Sequence, residues 1–437
     1  MVSSGHRTPR RVVITGLGAV TSIGTGAAEF LDGLRSGRSG VKPITSFDTT
    51  GYAHANGCEI EDFDPARWIE HGDPEELGRA SQFSVAAARM AVADAGLAPE
   101  ELRARRVLVS VGTTDGESRD LDALTERQLR DGPEELPAVV ARRSSAGLLS
   151  SSVVRELELV DVEAVTIATA CAAGNYAIGS GFDAIRSGEA DVALSGGADA
   201  VCRKTFTGFY RLGTIAPELS QPFDVDRKGI LTGEGAGILL MESLDSALAR
   251  GAGIYAEVLG YGLNCDAHHP VAPDQDSLAA CIELAHRNAG VKPEDIDFIS
   301  AHGTGTKAND VTEAGAIRQV FATPPPTVSI KSMLGHTMGA ASALASAACA
   351  LAIREGFIPP TINHRRTDPE CGLDPVPNRA RTADVRIVQN NALAFAGNNA
   401  VLILGAYRED RKADREDPRA DREPPAAERA DAGRPDA

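Results

Sequence analysis

The chain has 437 residues, 43% of them hydrophobic, with 44 glycines and a single tryptophan. That is enough for two core-forming units or one large duplicated one, with a small-residue α/β interior. Its seven cysteines (Cys58, Cys171, Cys202, Cys265, Cys281, Cys349, Cys371) are odd in number, scattered and without a C-x-x-C pair, which speaks against structural zinc and a secreted disulfide framework and for a reducing cytoplasm. The formal net charge of −17 excludes nucleic acid as the expected partner, while leaving room for local basic patches that dock an acidic protein.

In chain order, the basic start (Arg7, Arg10, Arg11) runs directly into Val12-Val13-Ile14-Thr15-Gly16, a strand entering a turn and not the apolar core of a signal peptide. Strand-like runs follow at Arg106–Val111, Val165–Ala168, Asp191–Gly196 and Gly237–Met241, then at Ile254–Tyr261, Phe298–Ser300, Thr327–Ile330 and Ala400–Leu404. Helical patterns lie between them at Ser81–Ala95, Gly174–Ser187, Ser277–Ala289, Val311–Phe321 and Gly339–Arg354. Strands alternating with helices at this spacing predict parallel or mixed sheets covered by helices. The polar segment Thr114–Ala141 reads as a helical excursion at a cap or subunit surface. The small apolar run from Met338 to Ile353 is too short to span a bilayer and predicts a buried helix, so no membrane segment is expected.

Two parts of the chain repeat one plan: a reactive segment directly after a buried strand and before a small-residue helix. This points to internal duplication, with a boundary near Ala249–Gly253. The expected division is an N-terminal half over 1–252, a C-terminal half over 253–407 and a disordered charged tail over 408–437, whose composition buries too little apolar surface to offset its ordering entropy.

Three segments carry the chemistry: Thr169-Ala170-Cys171-Ala172-Ala173-Gly174, Ala301-His302-Gly303-Thr304-Gly305-Thr306 and Lys331-Ser332-Met333-Leu334-Gly335-His336. Cys171 stands at a strand-to-helix turn, where the helix N-terminus favours thiolate and its N–H groups supply half an oxyanion hole. A buried structural cysteine is the plain alternative. Taken singly, His302 and His336 read as satisfied loop histidines; with Cys171 they read as the acid, base or oxyanion partners of a nucleophile. Thr304 and Thr306 either bind polar substrate groups or cap the following helix, and Lys331 is either a base or the ion-pair partner of Asp310 or Glu313. In Ala392-Leu393-Ala394-Phe395-Ala396-Gly397-Asn398-Asn399, Phe395 is a candidate gate over an apolar tunnel, its N–H a second oxyanion donor. Gly16-Leu17-Gly18-Ala19-Val20-Thr21 imitates a dinucleotide fingerprint, but Thr21 replaces the third glycine and no acid follows at the required distance. The adjacent pair His268-His269 lacks metal-ligand spacing.

From Arg11 to about Tyr407 the chain resembles the β-ketoacyl-[acyl-carrier-protein] synthases of the condensing-enzyme, thiolase-like superfamily, of the synthase II type. The resemblance rests on Arg11-Val12-Val13-Ile14-Thr15-Gly16-Leu17-Gly18, on Pro222-Phe223-Asp224 through Gly233-Glu234-Gly235-Ala236-Gly237, on the three segments above and on the Phe395 loop. It implies a five-layered αβαβα fold of two duplicated halves and no cofactor beyond substrates carried on the phosphopantetheine of an acyl carrier protein. In that family's terms Cys171 takes the acyl chain, His302 and His336 assist decarboxylation of the malonyl unit and hold the enolate, and the N–H groups of Cys171 and Phe395 hold the oxyanion. Lys331 with Glu313 orients the histidines, beside Asp310, while Thr304 and Thr306 face the pantetheine arm. Arg211, with Arg203 and Lys204, is the expected carrier docking site.

A thiolase would have a second cysteine in the closing loop, the synthase III type an Asn in place of His336, and a chain-length-factor subunit no nucleophile. The expectation is therefore a dimeric elongating ketosynthase of fatty-acid or polyketide type. The alternatives are the active half of a heterodimer with a nucleophile-free partner, or a malonyl decarboxylase supplying starters. The chain departs from the family pattern at Asn309 (usually Gly), at Ala394 and Ala396 (Gly) and at Asn398 (Thr), which predicts a stiffer or reshaped gate.

Overall fold

The computed structural model of the protein describes residues 9–408. The charged tail expected over 408–437 lies outside the described residues but for Arg408. Ten strands make the path of the main sheet: β1 (Val12–Thr21), β2 (Val107–Gly112), β3 (Val162–Ile167), β4 (Val192–Asp199), β5 (Gly235–Ser243), β6 (Ala256–Cys265), β7 (Phe298–Ser300), β8 (Thr327–Val328), β9 (Ile387–Leu393) and β10 (Asn398–Gly405). Seven helices matter here: α1 (Arg79–Asp94), α2 (Ser118–Asp131), α3 (Ala173–Ser187), α4 (Arg203–Arg211), α5 (Gln275–Ala289), α6 (Lys307–Val320) and α7 (Ala341–Glu355).

The sheet order is β8-β7-β9-β10-β6-β1-β5-β4-β2-β3. Counted within its own half, each set of five strands runs third, second, fourth, fifth, first. The pairing senses repeat too: β2 is parallel to β3 and β4, and β5 antiparallel to β4 and β1. Likewise β7 is parallel to β8 and β9, and β10 antiparallel to β9 and β6. The two halves meet where β1 and β6 pair antiparallel, Val12 opposite Val258. Duplication invisible as letter identity is therefore explicit in topology.

The layers follow from strand alternation. In β5, Leu239 and Met241 enter a central core while Ile238 and Leu240 enter an outer one against α1. In β10, Leu402 and Leu404 face the centre while Val401 and Ile403 face α5. Strands buried on both faces need apolar residues at nearly every position, which is why they read as continuous runs. Helices α3 and α7 pack on each other between the two halves, giving the succession α, β, α, β, α. Their close approach depends on small residues: a Cβ on Gly174 would lie 2.6 Å from the Ala343 nitrogen. From Ala341 to Ile353 every residue of α7 is buried, as the small apolar run predicts. Among the described residues no helix is long and apolar enough to cross a membrane.

Most predicted strands lengthen by a few residues, and the polar segment after Thr114 contains α2. One strand escapes the sequence pattern, β9. Its centre is Gln389-Asn390-Asn391, all buried, and it is held by polar bonds and not by apolar contact alone. Asn390 donates to the Ser342 carbonyl (2.9 Å) and to Ser346 Oγ (2.8 Å) on α7, and to Asn175 Oδ1 (3.1 Å) on α3.

Candidate active site

Cys171, His302 and His336 line one cavity of about 200 Å³, together with Thr304, Thr306, Asn309, Phe209 and Phe395. Each reactive side chain follows the C-terminal end of a parallel strand: Cys171 after β3, His302 after β7, His336 after β8. The duplication explains part of this convergence. A 3₁₀ turn, Ala170–Ala172, precedes α3 and a second, Met338–Ala340, precedes α7. Each turn begins on a residue in the left-handed region, Ala170 at φ 49° and Met338 at φ 50°. Cys171 and Gly339 occupy equivalent places, so one half presents a thiol where the other presents a glycine packed against Thr113.

The His302 backbone is gripped from two sides. Glu313 on α6 accepts the N–H groups of His302 and Gly303, both at 2.8 Å, and Lys331 Nζ donates to the His302 carbonyl at 2.6 Å. Asn391, from the polar strand β9, donates to the same Glu313 carboxylate at 3.1 Å. No ion pair joins Lys331 to Asp310 or Glu313 among the described residues. Asp310 instead accepts from the Phe223 and Gly305 amides (2.8 and 3.1 Å), with Arg227 at 3.5 Å. For His336, the Met338 amide donates to Nδ1 at 3.2 Å, so the neutral ring carries its proton on Nε2. The two imidazole centroids lie 5.4 Å apart, nearly perpendicular.

Burial dominates the electrostatics. It pushes both imidazoles well below the ordinary histidine range, assisted by the Lys331 charge, so both are neutral at pH 7. Lys331 is lowered by burial to about 8 and stays mostly charged. The carboxyls of Glu313 and Asp310 are pushed up by the same cause. Burial also raises the Cys171 thiol to about 12, against a lowering influence of Lys331. This corrects the expectation of a resting thiolate. Cys171 sits just before the first turn of α3, but loss of water around the sulfur outweighs the helix N-terminus, and the resting group is a thiol.

Thr304 and Thr306 share a hydroxyl–hydroxyl hydrogen bond of 2.9 Å on the cavity wall. Thr306 also accepts from the Asn309 amide as the N-cap of α6, so the capping role stands beside the cavity one. Phe395 caps the hairpin between β9 and β10; it is 37% exposed, and its ring centroid is 5.3 Å from that of Phe209. Of the two extra Cβ atoms in this loop only one is strained. Ala396 sits at φ 65°, ψ 13°, whereas Ala394 is extended at φ −135°, ψ 155°. Asn398 begins β10, and Asn309 donates to Asp310 Oδ1 at 3.2 Å from the cavity wall.

The docking candidates separate. Arg203 pairs with Glu126 at 3.2 Å and Lys204 with Asp115 at 2.8 Å, both internal, while Arg211 is exposed and unpaired among the described residues. The apolar wall of Phe209, Ile230 and Leu393 was not foreseen. Only Phe209 has a sequence signal, the amphipathic pattern of α4.

A thiol and two neutral imidazoles in one cavity suit acyl transfer, and the chain's likenesses agree. Residues 9–247 match the family described as Beta-ketoacyl synthase, N-terminal domain, and residues 255–365 its C-terminal domain. The chain belongs to the β-ketoacyl synthase family. It is 38% identical over 411 residues to 3-oxoacyl-[acyl-carrier-protein] synthase 2 of Synechocystis sp., covering 91% of this chain and 99% of that one. It is 40% identical to Nodulation protein E of Rhizobium sp. (strain N33), covering 90% and 98%. Among solved structures it is similar to the ishigamide ketosynthase/chain length factor, with TM-score 0.91, 63% identity and coverage of 92% and 100%. It is also similar to a type II PKS ketosynthase bound to the hexaketide, in complex with its acyl-carrier protein, with TM-score 0.84, 31% identity and coverage of 92% and 100%. The protein is thus a ketosynthase, an acyltransferase-type condensing enzyme of the thiolase-like fold.

Proposed function

We propose that this β-ketoacyl synthase extends a carrier-bound acyl chain by two carbons, with Cys171 as nucleophile. The observation that carries this reading is the pair of neutral imidazoles sharing the Cys171 cavity, one with its Nε2–H assigned by the Met338 amide. In the first half-reaction the sulfur attacks the acyl thioester carbon, the carrier thiol leaves, and the Cys171 proton passes to it through a histidine. In the second, the carbon–carboxylate bond of the malonyl unit breaks to release CO₂. The enolate oxygen is held by His302 and His336, each such donor being worth about 3 kcal/mol. The enolate carbon then attacks the acyl–Cys171 thioester, forming the carbon–carbon bond and breaking the carbon–sulfur bond; Cys171 leaves as a thiolate and takes a proton from solvent to restore the thiol. Neutral donors suit this step, because an imidazolium would quench the enolate by protonation. The N–H groups of Cys171 and Phe395 serve as the oxyanion site, Lys331 and Glu313 fix the His302 backbone, and Thr304 and Thr306 face the pantetheine arm.

The substrates arrive on the phosphopantetheine of an acyl carrier protein, no further cofactor is needed, and the reaction takes place in the cytoplasm, in keeping with free cysteines throughout the described residues. The catalytic halves divide at 252/253. Two subunits are required: among the described residues β3 leaves an unpaired sheet edge with Glu163 and Ala164 exposed, which a second strand would cover. The 63% identity to a ketosynthase/chain length factor favours a nucleophile-free partner over a second copy. The deciding experiment supplies acyl- and malonyl-carrier proteins to the protein purified together with its partner subunit, and to Cys171→Ala in the same assembly, and measures β-ketoacyl product and CO₂. Product from the wild type, with only CO₂ from the variant, supports the reading. Condensation by the variant sinks it, and CO₂ without condensation from the wild type marks a decarboxylase.

A further inference from the structure

The polar strand β9 carries a second line of buried bonds, on the face opposite Asn390. Ile387, Gln389, Asn391 and Leu393 alternate onto one side of the strand. Ile387 and Leu393 join the apolar core shared with α5, while Gln389 and Asn391 between them are buried and polar. A buried polar side chain is costly unless paired, and here the pairs run in series. Asn391 donates to the Glu313 carboxylate at 3.1 Å, Gln389 donates through Nε2 to Asn391 Oδ1 at 2.8 Å, and Gln389 Oε1 meets His286 Nε2 on α5 at 2.7 Å. Glu313 in turn holds the His302 and Gly303 amides. The direction of the line follows from its one charged end. A carboxylate only accepts, so Asn391 turns its NH₂ to Glu313 and its oxygen to Gln389. Gln389 then has its own oxygen left for His286, which must donate. His286 therefore carries a proton on Nε2, and burial, which lowers it from the ordinary histidine value, keeps the ring neutral at pH 7. The ring stands edge-on to Phe321, just past the end of α6, with centroids 5.5 Å apart. All the N–H groups point the same way, so each bond polarises the next towards the carboxylate. His286, Gln389 and Asn391 stand outside the lining of the active-site cavity, so they act on the reaction only through Glu313.

We infer that His286 and Gln389 are positioning residues for His302: they fix the Asn391 amide, Asn391 fixes the Glu313 carboxylate, and Glu313 fixes the turn that carries the imidazole. This rests on the enolate-holding role of His302 proposed above. Without the His286 donor, Gln389 is free to turn its amide over, and it then offers Asn391 an NH₂ no longer. Asn391 must either turn as well, facing its own oxygen to the carboxylate, or leave a buried polar atom unpaired. Both outcomes loosen the His302 turn. Cys171 is held separately, by the 3₁₀ turn before α3, and is unaffected.

The test uses the protein assembled with its partner subunit. His286→Leu removes the donor, His286→Gln keeps an N–H there, and Gln389→Met, of similar length, breaks the line one link further in. CO₂ release from malonyl-carrier protein is expected to fall about fivefold in His286→Leu and in Gln389→Met, through kcat and not KM. His286→Gln should stay within about twofold of the wild type, and acylation of Cys171 should be unchanged in all three. Because the line acts through Glu313, His286→Leu should cost less than about twofold when added to Glu313→Gln. Amide hydrogen exchange gives a readout independent of turnover. The peptide holding His302 and Gly303 should exchange about fivefold faster in His286→Leu and Gln389→Met, and the peptide holding Cys171 at the wild-type rate. Should His286→Leu not fold, Gln389→Met carries the same comparison. Equal losses in both half-reactions, a full fivefold loss on top of Glu313→Gln, or unchanged exchange at His302 would overturn the positioning role. Faster exchange at His302, in a protein whose wild type releases no CO₂, would uphold the positioning and overturn the reaction reading instead.

Discussion

Glu313→Gln isolates what holds His302 in place. The Glu313 carboxylate accepts two backbone N–H groups at 2.8 Å, from His302 and Gly303, and the Asn391 amide at 3.1 Å. Glutamine has the same shape but one acceptor oxygen, so its NH₂ must face one of the two N–H donors. One hydrogen bond to a charged group is lost, about 2 kcal/mol. Against this, the neutral side chain no longer pays the burial cost that pushes the Glu313 carboxyl up. The chain should therefore fold while the His302 turn loosens. If the whole 2 kcal/mol appears in enolate stabilisation, CO₂ release from malonyl-carrier protein falls about 30-fold. Acylation of Cys171, reached from another half of the fold, should change by less than about threefold. The assay is a paired time course, acyl-Cys171 by mass spectrometry and CO₂ by trapping. Equal losses in both half-reactions, with normal folding, would refute selective positioning of His302, as would no loss in either.

Two further outcomes follow from particular geometries. Ala396 occupies the left-handed region at a cost of about 1 kcal/mol, whereas Ala394 is extended and unstrained. Ala394→Gly should thus release only chain entropy and speed alkylation of Cys171 about two- to fivefold, whereas Ala396→Gly, which also relieves strain in the closed hairpin, should not; equal acceleration by both would contradict this. For pH, burial lowers Lys331 to about 8, so the charged grip on the His302 carbonyl is complete below that value and lost as pH rises through it. Condensation should stay level down through pH ~6, because the imidazoles are already neutral, and decline above about 8; the alkaline limb should vanish in Lys331→Arg, whose charge persists. The same limb in the arginine variant would show that another group titrates.

The reactive residues were legible because each interrupts an apolar strand with small residues, and strand ends are where parallel sheets open. Cys171, His302 and His336 share a cavity for that reason. The protonation state of Cys171 was not legible: the helix N-terminus can be read from the letters, but the loss of water around the sulfur cannot. Strand β9 was hidden because Gln389-Asn390-Asn391 looks like a loop until their partners on α3, α5 and α7 are present. Ala394 and Ala396 looked equivalent, and only the backbone angles separate them. Arg203 and Lys204 read as free cations because Glu126 and Asp115, which neutralise them, lie some eighty to ninety residues away in the chain.

The most direct test of the central claim is the intact mass of the protein after brief exposure to an acyl-carrier protein, with peptide mapping of the adduct. One acyl group per chain, on the Cys171 peptide, discharged when malonyl-carrier protein is added and absent from Cys171→Ala, is the predicted result. An acyl group on any other residue, or one that malonyl-carrier protein does not discharge, would contradict Cys171 as the nucleophile of a condensation.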